Sequence, residues 1–178
     1  MLMAKTALEL QKQHLAELIQ AIQRCSYFLH ASSEKLDWPL GADLLAAKKK
    51  DVGLFEILAA INERFAKLQD TLAAAMRHAS LLAGEPSDNF LKVLSFYEKM
   101  GVIESLEVWQ LCRATRNLAA HDYETDYFEI AEHFNSLYEL SPTLYRTAGR
   151  FVAYCRDTLA IEANADDFSL DFSAIADI

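Results

Sequence analysis

The stretch DVGLFEILAAINERFAKLQDTLAAAMRHASLLA, residues 51 to 83, decides the fold class. Its apolar residues recur at alternating spacings of three and four, the pattern of an amphipathic helix that turns one face to a core. They are Leu54, Leu58, Ile61, Phe65, Leu68, Leu72, Ala75, Ala79 and Leu82. The pattern predicts one long helix across this stretch.

A second stripe of the same kind predicts a long helix from about residue 5 to 35. Its apolar residues are Leu15, Leu18, Ile22, Cys25 and Leu29. DWPLG, residues 37 to 41, ends this helix because Pro39 disfavours helix at the preceding residue and Gly41 permits a turn. A loop carrying Lys48 to Lys50 follows, and we expect the two long helices to pair antiparallel.

Shorter helices are predicted in the rest of the chain. GEPS, residues 84 to 87, supplies a stop and a cap for a helix that Gly101 closes, and Ser105 opens another that ends near His121. The D-x-x-E pattern of Asp126 and Glu129 starts the next helix, and Ser141-Pro142 ends it and begins the last. The sequence therefore predicts an all-α, up-and-down bundle of five or six helices over residues 1–162. An acidic, aromatic-containing tail, residues 163–178, is expected to be disordered or to dock on a partner.

Composition limits the class of protein. The 178 residues are 52% hydrophobic with only five Gly and three Pro, which fits one globular helical domain. The chain has three Cys and no C-x-x-C, which indicates a reducing compartment. The N-terminus lacks a signal-peptide pattern, and no long apolar run is present. We therefore expect a cytoplasmic protein that does not enter a membrane. The net charge of −9 disfavours general coating of nucleic acid, so a role on RNA needs a local cationic site.

The usual motifs of metal and cofactor enzymes are missing from the sequence. There is no H-x-x-x-H, no E-x-x-H, no P-loop and no G-x-S-x-G. We therefore expect no dedicated metal site and no cofactor.

The stretch LCRATRNLAAHDYETDY, residues 111 to 127, gathers the candidate functional residues. Arg113, Arg116, Asn117, His121 and Tyr123 lie at the end of an otherwise amphipathic helix. On a regular helix Asn117 and His121 share a face, whereas Arg116 and His121 point about 140° apart. Arg116 and His121 therefore meet only if the helix ends or bends near His121, or if a second chain supplies the partner across a two-fold axis.

These residues resemble the R-x4-H-x-Y motif of HEPN-domain proteins, specifically the HepT-type toxins of two-gene systems. RFAKLQDTLAAA, residues 64 to 75, is similar to the RF-x-x-LQD segment of an earlier helix in that family, and GVIES-x-x-x-W fits the approach to the motif helix. The resemblance covers most of residues 5 to 160.

The resemblance implies a type VII-like toxin, a homodimeric, metal-independent endoribonuclease in which two motifs face each other and cleave RNA. Arg116 and His121 would be catalytic, Asn117 and Arg113 would support them, and DNA is not an expected ligand. Tyr123 would be the acceptor of AMP from a cognate minimal nucleotidyltransferase, the antitoxin, which silences the nuclease. Because Arg116 and His121 lie outside the apolar stripe, we expect alanine at either position to leave folding intact.

Two other interpretations remain open. The motif is surrounded by acidic residues, which weaken attraction for phosphate: Asp122, Glu124, Asp126, Glu129 and Glu132. In the first, the chain is a non-catalytic HEPN binding module or the substrate-presenting subunit of a nucleotidyltransferase, with the tail as a docking segment. In the second, it is a purely structural helical dimer. Arg113 either widens the cationic patch or pairs with a nearby glutamate.

Overall fold

The computed structural model describes residues 2–118 and 126–178, which form seven α-helices and no strand. The helices are α1 Leu2–Ser33, α2 Ala42–Ala47, α3 Val52–Ala83, α4 Phe90–Lys99, α5 Leu106–Leu118, α6 Tyr127–Tyr154 and α7 Ser169–Ala176. A π-helical turn, Cys155–Leu159, continues α6. The all-α prediction is confirmed for the described residues. Six of their α-helices, α1 to α6, lie within residues 1–162, which agrees with the five or six predicted there, and α7 lies in the C-terminal segment.

Helix α3 forms the centre of the core and has the bounds that its sequence predicts. The Asp51 carboxylate caps its start by accepting from the Leu54 amide at 3.0 Å, and Gly84 ends it in the left-handed conformation with φ +74°. Helix α1 lies antiparallel beside it, because the Arg64 side chain reaches the Phe28 carbonyl whereas His78 contacts the Gln11 carbonyl. The antiparallel pairing is confirmed.

Helix α4 packs its buried face on α3 through Tyr97, whose hydroxyl donates to the Met76 carbonyl at 3.1 Å. Gly101, with φ +70°, closes this segment as predicted. The cap at the start of α4 is Asn89, whose side chain accepts from the Leu91 amide, rather than a residue of the GEPS segment.

Helix α6 corrects the prediction that Ser141-Pro142 separates two helices, because it continues through Pro142. A proline inside a helix removes one hydrogen bond and costs about 3 kcal/mol. Buried side chains anchor the helix on both sides of it: Phe134 and Leu137 before it, Leu144 and Phe151 after it. Their burial outweighs the local cost of the proline.

The segment between α1 and α3 is more ordered than the predicted loop. Residues 42–47 form α2, whose Leu45 is fully buried. Asn135 of α6 holds the segment by accepting from the Leu40 amide at 2.7 Å and donating to the Leu40 carbonyl at 3.1 Å. Trp38 stacks on Tyr138, with ring centroids 4.4 Å apart. This helix is therefore stabilised by contacts with residues of α6, which lie about 100 positions later in the sequence. The periodicity of the segment itself does not reveal such contacts.

The C-terminal segment also differs from the expected disordered or partner-docked tail. Residues 169–176 form α7, which packs against α1 and α6 of the same chain. Phe172 and Ile175 are buried there. Helices α6 and α7 approach so closely that a Cβ atom placed on Gly149 of α6 would lie 2.8 Å from the Cβ of Ala176 in α7.

Candidate functional site

Helix α5 positions the arginines of the motif. Its start is held by the Ser105 hydroxyl, which accepts from the Val108 amide at 3.1 Å, and by Glu98, which accepts from the Leu106 amide at the same distance. Trp109 and Cys112 are buried on its inner face, so Arg113 projects to the surface. The predicted opening of this helix at Ser105 is confirmed.

Arg116 connects α5 to α3. Its Nη1 donates to the Asp70 Oδ1 at 2.6 Å and to the Ala66 carbonyl at 3.0 Å. The side chain of Arg116 is only 15% exposed, whereas that of Asp70 is 63% exposed. The guanidinium is therefore held in one orientation by a charge-assisted contact at the edge of the core.

Replacing Arg116 with alanine is expected to lower the free energy of unfolding by about 1–2 kcal/mol, because a hydrogen bond to a charged partner and its packing are lost. Thermal unfolding should show a midpoint lower by roughly 2–4 °C per kcal/mol, with the helical circular-dichroism signal retained at low temperature. The matched control is Arg150→Ala, since Arg150 is exposed and forms no ion pair with the described residues. Equal midpoints for the two variants would contradict a structural contribution of Arg116.

A groove with a volume of about 400 Å³ lies beside this ion pair, between α3, α4 and α5. We call it the arginine groove, and it is lined by Gln69, Asp70, Ala73, Ala74, Arg77, Phe90, Trp109, Arg113 and Arg116. The two small alanines of α3 keep the space between the helices open. Arg113 and Arg116, which the sequence places one turn apart, both line this groove.

The arginine groove is cationic although the chain is acidic. The carboxylate that lines the groove, that of Asp70, is paired with Arg116. No carboxylate among residues 2–118 and 126–178 forms an ion pair with Arg77 or Arg113. The alternative that Arg113 pairs with a glutamate is therefore not found in the described part. The groove supplies the local positive charge that a role on RNA requires.

Arg77 and Phe90 are groove residues that the sequence analysis missed. The Arg77 guanidinium carbon lies 5.5 Å from the centroid of the Phe90 ring, within the range of a cation–π contact. The signal in the sequence was the spacing of seven residues between Asp70 and Arg77, which places both near one face of α3.

Gln69 forms the floor of the groove and is 2% exposed. Its Nε2 donates to the Trp109 carbonyl at 3.0 Å and so fixes α5 on α3. Its Oε1 has no hydrogen-bond partner among the described residues. A buried carbonyl oxygen without a partner raises the free energy of the folded state, so this oxygen lowers the stability of the fold.

Cys112 lies on the buried face of α5, behind the arginines. Burial raises the pKa of its thiol from the ordinary value of 9.0 to about 11. The folded chain therefore keeps this proton at a pH where the unfolded chain releases it. The contribution to stability is complete below about pH 9 and is lost as the pH rises toward 11.

We expect wild-type protein to lose about 1 kcal/mol more stability than Cys112→Ala between about pH 8 and about pH 10, because only the wild type unfolds to a chain that ionises at this position. Urea unfolding at the two pH values measures the difference. The alanine variant is less stable at both values, so the change with pH is the readout. Parallel losses in the two proteins would contradict ionisation of Cys112 as the cause.

The remaining predicted residues are placed as follows. His121 and Tyr123 lie outside the described residues. Asn117 is exposed on α5 and does not line the arginine groove. Of the acidic residues around the motif, Asp126 caps α6 by accepting from the Phe128 amide at 2.9 Å. That carboxylate is engaged by the helix that it starts, as the D-x-x-E pattern predicts.

Comparison with known proteins finds no similar family model, curated protein or solved structure. Within residues 2–118 and 126–178, no three His, Cys, Asp or Glu side chains form a group that could hold a metal ion. None of the helices in that part of the chain is both long and apolar enough to cross a membrane.

Proposed function

We propose that this protein is a metal-independent endoribonuclease, the HepT-like toxin of a toxin–antitoxin pair. The observation that carries the proposal is the position of Arg116 in a cationic groove of an acidic chain, with His121 five residues further on. In this proposal the active form is a homodimer in the cytoplasm, with RNA as its substrate.

Cleavage of RNA through its 2′-hydroxyl requires two proton transfers and stabilisation of charge on the phosphate. Histidine, with an ordinary pKa near ~6.5, performs either transfer near neutral pH, and His121 from each of two chains supplies both acid and base. Arg116 binds the phosphate. Its Nη1 is held by Asp70 and Ala66, while Nε and Nη2 form no hydrogen bond with the described residues. In this proposal these two nitrogens donate to phosphate oxygens.

Regulation in this proposal occurs at Tyr123. A partner nucleotidyltransferase transfers AMP from ATP to the Tyr123 hydroxyl, which loses its proton, and pyrophosphate leaves. The transfer adds an anionic phosphate seven residues from Arg116 along the chain. That phosphate satisfies the cations that would otherwise bind substrate, and the nuclease is silenced.

The test is cleavage of a mixed RNA by purified protein in excess EDTA, with the intact mass recorded on the same sample. Cleavage by protein of unmodified mass supports the proposal. Unmodified protein that leaves RNA intact overturns it. A mass higher by one AMP identifies the silenced form. In that case the cleavage assay is repeated with the Tyr123→Phe protein, and its result decides between the two outcomes.

The burial of Arg116 favours a second candidate function, a non-catalytic binding module for a nucleotidyltransferase. A side chain that is 15% exposed and bonded to two residues of α3 acts as a brace between helices whether or not it binds phosphate. The binding module predicts that a chain with both Arg116→Ala and His121→Ala still co-purifies with its nucleotidyltransferase and that the wild type does not cleave RNA.

A further inference from the structure

We propose that the end of the arginine groove around Arg77 binds the RNA strand next to the phosphate that is cut. Arg77 and Arg113 bind backbone phosphates, and Phe90 contacts a nucleobase. This inference rests on the proposed function, because that function defines which phosphate is cut. The binding of RNA to the groove is tested separately, without cleavage.

Arg77 and Arg113, which pair with no carboxylate of the described residues, line the same groove as Arg116. Trp109, Arg113 and Arg116 follow one another at spacings of four and three on α5. On the facing helix, Asp70 and Arg77 are seven residues apart, about 10 Å at the rise of an α-helix. The groove therefore extends the phosphate site by a short stretch of strand.

Charge and surface chemistry select single-stranded nucleic acid as the occupant. The Asp70 charge is compensated by Arg116, which leaves Arg77 and Arg113 to attract an anion. Phe90 adds an aromatic surface, and its contact with Arg77 holds that guanidinium at the groove. Unstacked bases pack on aromatic rings and on guanidinium planes, whereas the bases of a duplex are not free to do so.

The experiment measures the binding of a short, fluorescently labelled, single-stranded RNA of mixed sequence by anisotropy in EDTA at several salt concentrations. All proteins carry His121→Ala so that the RNA stays intact. Adding Arg77→Ala and Arg113→Ala is expected to weaken binding at least tenfold and to reduce the slope of log K against log salt by about 1.4, because two phosphate contacts are lost. The matched control removes two distant exposed cations, Lys35 and Arg150, and should leave the slope unchanged.

A second variant tests the aromatic contact. Phe90→Leu keeps an apolar side chain on α4 and removes the ring, so folding is retained while a stacked base loses its partner. We expect binding to weaken by roughly five- to 150-fold, the range for one base–aromatic stack. An affinity equal to that of Phe90 protein overturns the role of the ring.

The outcomes separate this inference from the proposed nuclease. If wild type cleaves RNA in EDTA and the Arg77 and Arg113 substitutions change neither the affinity nor the salt slope, the groove inference is wrong and the nuclease stands. If RNA binds through Arg77 and Arg113 but unmodified wild type never cleaves it, the nuclease is wrong and the groove stands.

Discussion

Replacing His121 with alanine is expected to slow RNA cleavage in EDTA by 10²- to 10⁴-fold, the usual contribution of a positioned acid or base. In the proposed dimer the loss is at the upper end of this range, because one substitution removes both the acid and the base. Initial rates on a labelled RNA measure the effect. Circular dichroism of the same sample should give the wild-type helical signal.

His14→Ala is the matched control for this experiment. His14 lies on α1 and its side chain is 56% exposed. Its ring packs edge-on against that of His78, and its Nδ1 lies 3.9 Å from the Glu17 carboxylate. Its removal should leave the rate of cleavage at the wild-type value. A His121 variant that cuts RNA as fast as the His14 variant would exclude His121 from the chemistry.

Replacing Gly149 with leucine is expected to displace α7 and to lower the free energy of unfolding by about 3–6 kcal/mol. Even a Cβ atom at position 149 would lie 2.8 Å from the Ala176 Cβ, so no larger side chain fits while α7 stays in place. Displacement exposes Phe172 and Ile175, each of which contributes about 1.5–3 kcal/mol by its burial. Urea unfolding and limited proteolysis of the segment before α7 measure the effect.

Gly53→Leu is the matched control, because Gly53 is also helical but is exposed and meets only the Asp51 carboxylate at 3.5 Å. It should leave stability unchanged or slightly raised, since leucine favours helix more than glycine does. Gly149→Ala should fall between the two leucine variants. Equal stability of the Gly149 and Gly53 variants would contradict the close contact between α6 and α7.

The long helices could be predicted from sequence because their signal is local and repeated. Nine apolar residues in α3 keep one rhythm, and Asp51 and Gly84 mark its ends. Pro142 misled the prediction because its local cost is overcome by packing with residues distant in sequence. Helix α2 depends on Asn135, and α7 depends on a groove between α1 and α6 that no periodicity within residues 163–178 reveals.

The candidate site could be predicted only in part for a similar reason. The cluster on α5 is continuous in sequence, so Arg113 and Arg116 stood out. Asp70 and Arg77 belong to α3 and become neighbours of that cluster only when the helices pack. The resemblance to HEPN-domain proteins gave roles to His121 and Tyr123, and these roles stay predictions.

The central position of α3 determines how the protein would respond in hydrogen exchange. Helix α3 packs against α1, α4, α5 and α6, so its inner amides should exchange only when the whole domain opens. The wall of the arginine groove that α3 forms is therefore expected to exchange slowly, and its exchange rates should report the global free energy of unfolding. A ligand in the groove should therefore be detected as added protection in α4 and α5, whose smaller openings it suppresses.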